Sequence, residues 1–301
     1  MITYLPHKKL DKAKWDQCVA ADPGAPVFFY SWFLDAVCDN WDGLTAGDYE
    51  AVFPLPFKSK LGVQYIVQPF FTRTLDACSA NKEWKNAKLF LDHIPAKFRL
   101  QEFCLEIPVP ANDKKSAVEK KYQALLLNRP YDELKKHFSN STLQNIRKAE
   151  KNGTTITHDV SPKDITDDFR KLKGKDIVKF GTKDFQRLRQ LMETCLEHGS
   201  GHARAAYSPD GERLASAFFM HAHNRIIYLK GSTDDRGKKT GAMHYIMSRM
   251  MIEFSNSPVI FDFGGSSVPS LAVFFKSFGA TDHIYYTFNK NNLPLALRWL
   301  K

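Results

Sequence analysis

Two charges interrupt apolar stretches near the C-terminus, in FDFGGSSVPSLAVFFKSFGA, residues 261–280. Asp262 stands between Phe261 and Phe263, one residue before a Gly-Gly-Ser-Ser turn. A carboxylate placed there can act as a general base toward an amine, its proton affinity tuned by partial burial. It can instead accept hydrogen bonds from the N–H groups of Gly264 to Ser267 and fix the turn. The second role is preferred, because a carboxylate just ahead of that turn is well placed for it; in either role its depth requires a partner or a solvent cleft. Lys276 follows on a helix expected over 268–278, whose packed side would carry Leu271, Phe274, Phe275 and Phe278. Its ammonium could stabilise the negative charge that develops on an attacked carbonyl. Spacing alone favours a plainer arrangement, with the stem laid on aromatic rings and the head in water.

A second constellation is GSTDDRGKKTGAMHYIMSRM, residues 231–250. A strand ends, a Gly- and Lys-rich loop follows, and a helix opens near Thr240. The backbone N–H groups at that helix start, with Arg236, Lys238, Lys239 and Gly241, form a candidate phosphate cradle. The alternative is a solvated loop. A third stretch, FPLPFKSKLGVQYIVQPFFTR (53–73), ends a basic hairpin in an aromatic segment. Gln68, Phe71 and Arg73 there, with Phe275, are candidate substrate contacts; aromatic strands are more often simply core. The basic helix NIRKAEKNG (145–153) needs no ligand to explain it, since Arg147, Lys148 and Lys151 complement the macrodipole at its C-terminal end. The histidines offer no metal set: His198 and His202 are split by glycines, and His221 and His223 fall in a hairpin turn.

These residues require a scaffold that alternates strands and helices. The C-terminal half reads β-α-α-β-β-β-α-β-α-β. Ser161-Pro162 opens its first helix as N-cap and N1 proline, and a second helix spans Thr182–His198. The N-terminal half reads β-α-α-β-β-α-β-β, with a helix expected in NKEWKNAKLFLDHI. The expected class is α/β (mixed α+β): two mixed sheets covered by helices, in domains 1–140 and 141–301, with the junction good to about ten residues.

STLQNIRKAEKNGTTI and FDFGGSSVPSLAVFFKSFGA, in this order, resemble the Fem family of peptidyltransferases and its BioF2-like relatives, in which two GNAT-like domains stand in tandem. The resemblance implies transfer of an acyl or aminoacyl group to an amine, with acyl-CoA or aminoacyl-tRNA as co-substrate and no tightly bound cofactor. It also implies that Lys276 stabilises the tetrahedral intermediate. The coenzyme A loop of GNAT enzymes, Arg/Gln-x-x-Gly-x-Gly/Ala, is not matched: counting from Arg236 puts Lys239 where glycine belongs, and counting from Lys238 puts Met243 at the last small position. That departure sustains a rival reading, a GNAT scaffold that only binds a phosphorylated metabolite, a glycan precursor or an RNA.

Composition is compatible with both readings. Lys and Arg exceed Asp and Glu by 43 to 33, which favours anionic partners such as a phosphate-bearing small molecule or tRNA. The five cysteines lack paired spacing, which points to reduced thiols and a cytoplasmic protein without metal. No run of apolar residues reaches membrane-spanning length, and the N-terminus has no signal-like core.

Overall fold

The structure, a computed structural model, describes residues 1–110, 115–173, 180–264 and 269–294. Its contacts group into two units, residues 1–121 with 284–301, and residues 122–283. The junction expected at 140/141 thus falls at 121/122, and the C-terminal segment returns to the first unit. The reason lies in strand pairing, which assigns two strands across the expected boundary.

Unit 1 runs β1 (Ile2–Leu5), α1 (Lys12–Ala21), α2 (Ser31–Val37), β2 (Asn40–Ala46), β3 (Ala51–Lys60), β4 (Val63–Val67), α3 (Ala87–Leu91) and β5 (Phe98–Leu105). β1 to β4 pair antiparallel in sequence order, and β4 pairs parallel to β5. β2 is a strand despite Asp42 and Gly43, residues that disfavour strands. Gly43 is required because a Cβ there would come within 2.5 Å of the Trp15 ring. Pro54 and Pro56 are tolerated in β3 because they share the edge of Val52, whose N–H donates to the Cys78 carbonyl rather than to β2, and β4 on that edge pairs only with Phe57–Lys60. The helix expected in residues 81–94 shrinks to a 3-10 turn at Lys82–Trp84 and the short α3. Phe53 stacks on Phe90 at 5.6 Å and joins Leu55, Ile66, Phe98 and Phe103 in the core.

Unit 2 contains β6 (Glu119–Leu126), α4 (Tyr131–Leu134), α5 (Asn140–Lys151), β7 (Thr155–Thr157), α6 (Pro162–Lys173) and α7 (Thr182–Glu197). It continues with β8 (Gly201–Tyr207), β9 (Arg213–Ala222), β10 (Arg225–Thr233), α8 (Asp235–Thr240), α9 (Ala242–Phe254), β11 (Ile260–Asp262) and α10 (Pro269–Lys276). β7 to β10 pair antiparallel, β10 pairs parallel to β11, and β11 pairs antiparallel to β6. Ser161 caps α6 by accepting from Asp164 N at 3.0 Å. α5 packs on α9 through Ile146 and Ala149, leaving Arg147, Lys148 and Lys151 exposed.

The final strand is β12 (Thr281–Asn291); its residues 286–291 pair antiparallel with β5. Each unit therefore repeats one plan: four antiparallel strands, a fifth parallel to the fourth, and a sixth antiparallel to the fifth. In each, the sixth strand is the one that follows the other unit's fifth strand in sequence.

Candidate active site

In unit 2 the only parallel pairing among the described residues is brief. Arg225, Ile226 and Ile227 of β10 meet Ile260, Phe261 and Asp262 of β11, and there β11 ends. β10 continues to Thr233, held along its other edge by β9, with a bulge between Tyr228 and Lys230. Beyond Ile227 the pairing of the two strands ends, and among the described residues no strand pairs with that edge of β10. Such an opening, at the carboxyl ends of parallel strands, is where open α/β sheets take ligands.

Three side chains define this region. Tyr228 lies among Phe219, Phe275 and the backbone of Gly264, and burial raises its phenol far above the ordinary value. Gly231 leaves room for it, since a Cβ there would stand 2.6 Å from the Tyr228 hydroxyl. Lys230 lies near α6, its ammonium 5.7 Å from the Phe169 ring, and burial lowers its proton affinity. Asp262 is fully buried. Its Oδ2 accepts from Arg225 Nη1 at 2.7 Å, and its Oδ1 accepts from Gly264 N at 2.9 Å. Gly264, at φ +72°, needs its lack of a side chain to make that turn. The remaining turn contacts expected from Gly265, Ser266 and Ser267 lie outside the described residues.

Lys276 and Asp262 engage different partners. The Lys276 ammonium lies 2.8 Å from Asp282 Oδ2, half exposed, and Asp282 also accepts from Gln123 Nε2 at 3.0 Å. On α10, Phe275 is 2% exposed and packs against Phe263 at 5.1 Å, which makes it part of the core. Leu271, expected on the packed side, is exposed; the last turn and Phe278 carry that side instead.

The expected phosphate loop is largely helical. Asp234 caps α8 by accepting from Gly237 N at 2.6 Å. The Arg236 guanidinium grips both oxygens of Asp210 at 2.8 Å and also reaches Glu212, which holds the Asp210 carboxyl well below the usual range. Lys238 pairs with Asp235 at 2.7 Å, and Lys239 is exposed. Gly241, at φ +80°, joins α8 to α9 so tightly that a Cβ would meet the Asn145 carbonyl at 2.3 Å. Gly237 similarly abuts the Leu214 carbonyl. The glycines therefore serve backbone approach, and the arginine already holds carboxylates.

In unit 1, Gln68 staples the chain after β4: its Oε1 accepts from Cys104 N at 2.9 Å and its Nε2 donates to Thr72 Oγ1 at 2.5 Å. Phe71, at φ +71°, lies beside Phe70, and Arg73 is partly buried on the same loop. Sequence reasoning passed over Asp76, three residues on. Burial, with the neighbouring Glu106 adding, pushes its carboxyl up to about 7 although it accepts from Glu106 N at 2.8 Å. It also passed over His244, whose imidazole lies 4.9 Å from the Phe274 ring and is pushed down to about 4 by burial. Lys230 did carry a signal, a single charge inside the apolar strand RIIYLKGS.

Residues 136–270 match the family described as Acetyltransferase (GNAT) domain. Over 95% of its length the chain superposes on 97% of FemX, with 15% identity and a TM-score of 0.70. A conserved protein of unknown function from Bacteroides thetaiotaomicron is similar over 97% of this chain and 100% of its own, at 12% identity and a TM-score of 0.62. L-PGS from Bacillus licheniformis is similar over 86% of this chain and 87% of its own, at 12% identity and a TM-score of 0.50. No curated protein matches the chain by sequence.

Proposed function

We propose that this chain, whose residues 136–270 match the GNAT acetyltransferase domain and whose fold is similar to that of FemX, is an N-acyltransferase. It moves an acyl or aminoacyl group from acyl-CoA or aminoacyl-tRNA to an amine. The observation that carries this reading is the parting of β10 from β11 at a bulge beside a desolvated Lys230.

The chemistry follows from that geometry. A neutral amine attacks the acyl carbon, a C–N bond forms, and the carbonyl oxygen takes up the negative charge. Collapse expels the thiolate or ribose oxygen, and the ammonium proton leaves to solvent or to the leaving group. The edge of β10 that no strand pairs among the described residues would offer alternate backbone N–H groups to the oxyanion. We assign the supporting cation to Lys230 rather than Lys276. Lys276 is half exposed and neutralised by Asp282, and a charge so placed acts weakly. Asp262 has an oxygen on Arg225 and the other on Gly264, which suits a positioning residue for the turn.

The engagement of Arg236 by Asp210 and Glu212 favours a second reading, a binding scaffold without turnover. Incubation with a panel of acyl-CoAs and, separately, of charged tRNAs, with mixed amine acceptors, decides between them. Release of free thiol or deacylation of tRNA that depends on the acceptor supports transfer. Thermal stabilisation by phosphorylated ligands with no turnover of either donor class supports the scaffold.

A further inference from the structure

Unit 1 contains a cavity of about 440 Å³ at the β1–β2 side of its sheet, lined among others by Tyr4, Trp41, Asp42, Phe57 and Lys97. The Lys97 ammonium stands 5.0 Å from the ring centre of Tyr4, 5.6 Å from that of Phe57 and 4.7 Å from that of Phe98. The Asp42 Oδ2 closes the fourth side at 3.5 Å. Three aromatic faces and a carboxylate around one nitrogen are the chemistry by which proteins select organic cations over neutral molecules of the same shape.

The cage is rigidly built. Asp42 is buried and fixed by two donors, the Tyr4 hydroxyl at 2.5 Å and the His7 backbone N–H at 2.9 Å. Phe57 packs on Phe98 at 5.3 Å, and Phe98 is buried. The Trp41 indole is locked by donating to Asp35 Oδ1 at 2.9 Å. Lys97, by contrast, enters on a flexible stem whose side chain is 42% exposed. A rigid cage with a replaceable occupant, opening into a cavity larger than an ammonium head, has the features of a ligand site.

We propose that this cage binds a small molecule bearing an alkylammonium group, primary or quaternary, which displaces the Lys97 head from the rings and from Asp42. The wild-type chain then binds such cations weakly, because its own lysine competes for the cage. This inference is independent of the transferase reading.

Choline is the probe, and its neutral isostere 3,3-dimethylbutan-1-ol is the control, titrated calorimetrically into the full chain. Wild type is expected to bind choline in about the millimolar range, and Lys97→Ala about tenfold more tightly. Phe57→Leu in the Lys97→Ala background keeps an apolar side chain of similar bulk but removes a π face, and is expected to weaken choline about fivefold or more. Melting curves establish that each variant is folded. The proposal is overturned if choline fails to saturate both wild type and Lys97→Ala. It is equally overturned if the alcohol binds as well as choline, or if Phe57→Leu changes nothing.

Discussion

Arg225 and Asp262, 37 residues apart in sequence, meet at 2.7 Å where the parallel strands of unit 2 pair. Asp262 is fully buried and Arg225 largely so, so the pair ties the start of β10 to the turn that follows β11. Removing one partner strands a buried charge. Arg225→Met is expected to lower unfolding stability by about 3–5 kcal/mol, and Arg225→Met with Asp262→Asn to recover most of that loss. Urea denaturation of the four combinations measures the coupling; additive losses would show that the pair contributes no coupling energy.

Asp76 makes stability depend on pH in an unusual direction. Its folded value of about 7 lies above the ordinary 3.8, so the folded chain holds the proton more tightly than the unfolded one. The penalty is therefore full above pH 7 and disappears as pH falls from 7 toward 4. Asp76→Asn should stabilise the protein at pH 8 by about 1–2 kcal/mol and leave it nearly unchanged at pH 4. The figure is smaller than the shift alone implies, because Asp76 is partly accessible and an amide accepts with one oxygen only. Denaturant midpoints at the two pH values test the difference.

The buried imidazoles act in the opposite sense. His202, 3.3 Å from His221, and His244, between the Phe274 and Phe278 rings, are each pushed down to about 4, chiefly by burial. A depressed value means that the unfolded chain takes up the proton first, so stability is lost as pH falls from about 6.5 to 4. His244→Phe keeps the ring packing and is expected to flatten that fall without changing stability at pH 8. A melting-temperature profile from pH 8 to pH 4 that is the same for wild type and variant would contradict this account.

Gly241 carries a prediction that separates packing from phosphate binding. Its φ of +80° and the Asn145 carbonyl 2.3 Å from a would-be Cβ leave no room for a methyl group. Gly241→Ala is expected to cost about 2–4 kcal/mol of unfolding stability, through backbone strain and forced separation of α5 from α9. A variant of unchanged stability but weakened donor binding would restore the loop to a ligand-binding role.

The architecture was legible in the sequence wherever the signals were local. Ser161 and Pro162 announced α6, and the turns SPDGE and HAHN set apart the stretches that form β8, β9 and β10. β2 escaped because Asp42 and Gly43 argue against a strand, and only the distant Trp15 explains why a glycine must stand there. α8 escaped because Gly237 sits inside a short polar helix, where its purpose is the approach to Leu214. The site was less legible for the same reason. Asp262 was found, but its partner Arg225 lies on another strand, and the carboxylates that hold Arg236 come from the turn between β8 and β9. Charge type is written locally; charge pairing is decided by tertiary contact.

The assignment of the oxyanion cation to Lys230 is the sharpest consequence for activity. Family resemblance implies that role for Lys276; we assign it instead to Lys230, on its desolvation and its position beside the bulge of β10. Once a transferred acyl group is identified, Lys230→Met is expected to lower kcat/KM by about 100-fold or more, mainly through kcat, because a desolvated charge acts most strongly on the charge that develops in the transition state. Its melting temperature should hold or rise, since a desolvated ammonium with no ion pair among the described residues is replaced by an apolar chain of similar length. Lys276→Met removes a half-exposed ion pair and is expected to change kcat/KM by less than about threefold. Steady-state kinetics of both variants, with circular dichroism melts on the same samples, distinguish the assignments. If Lys276→Met abolishes turnover while Lys230→Met retains it, the cation is Lys276 and the bulge of β10 serves only to open the strands.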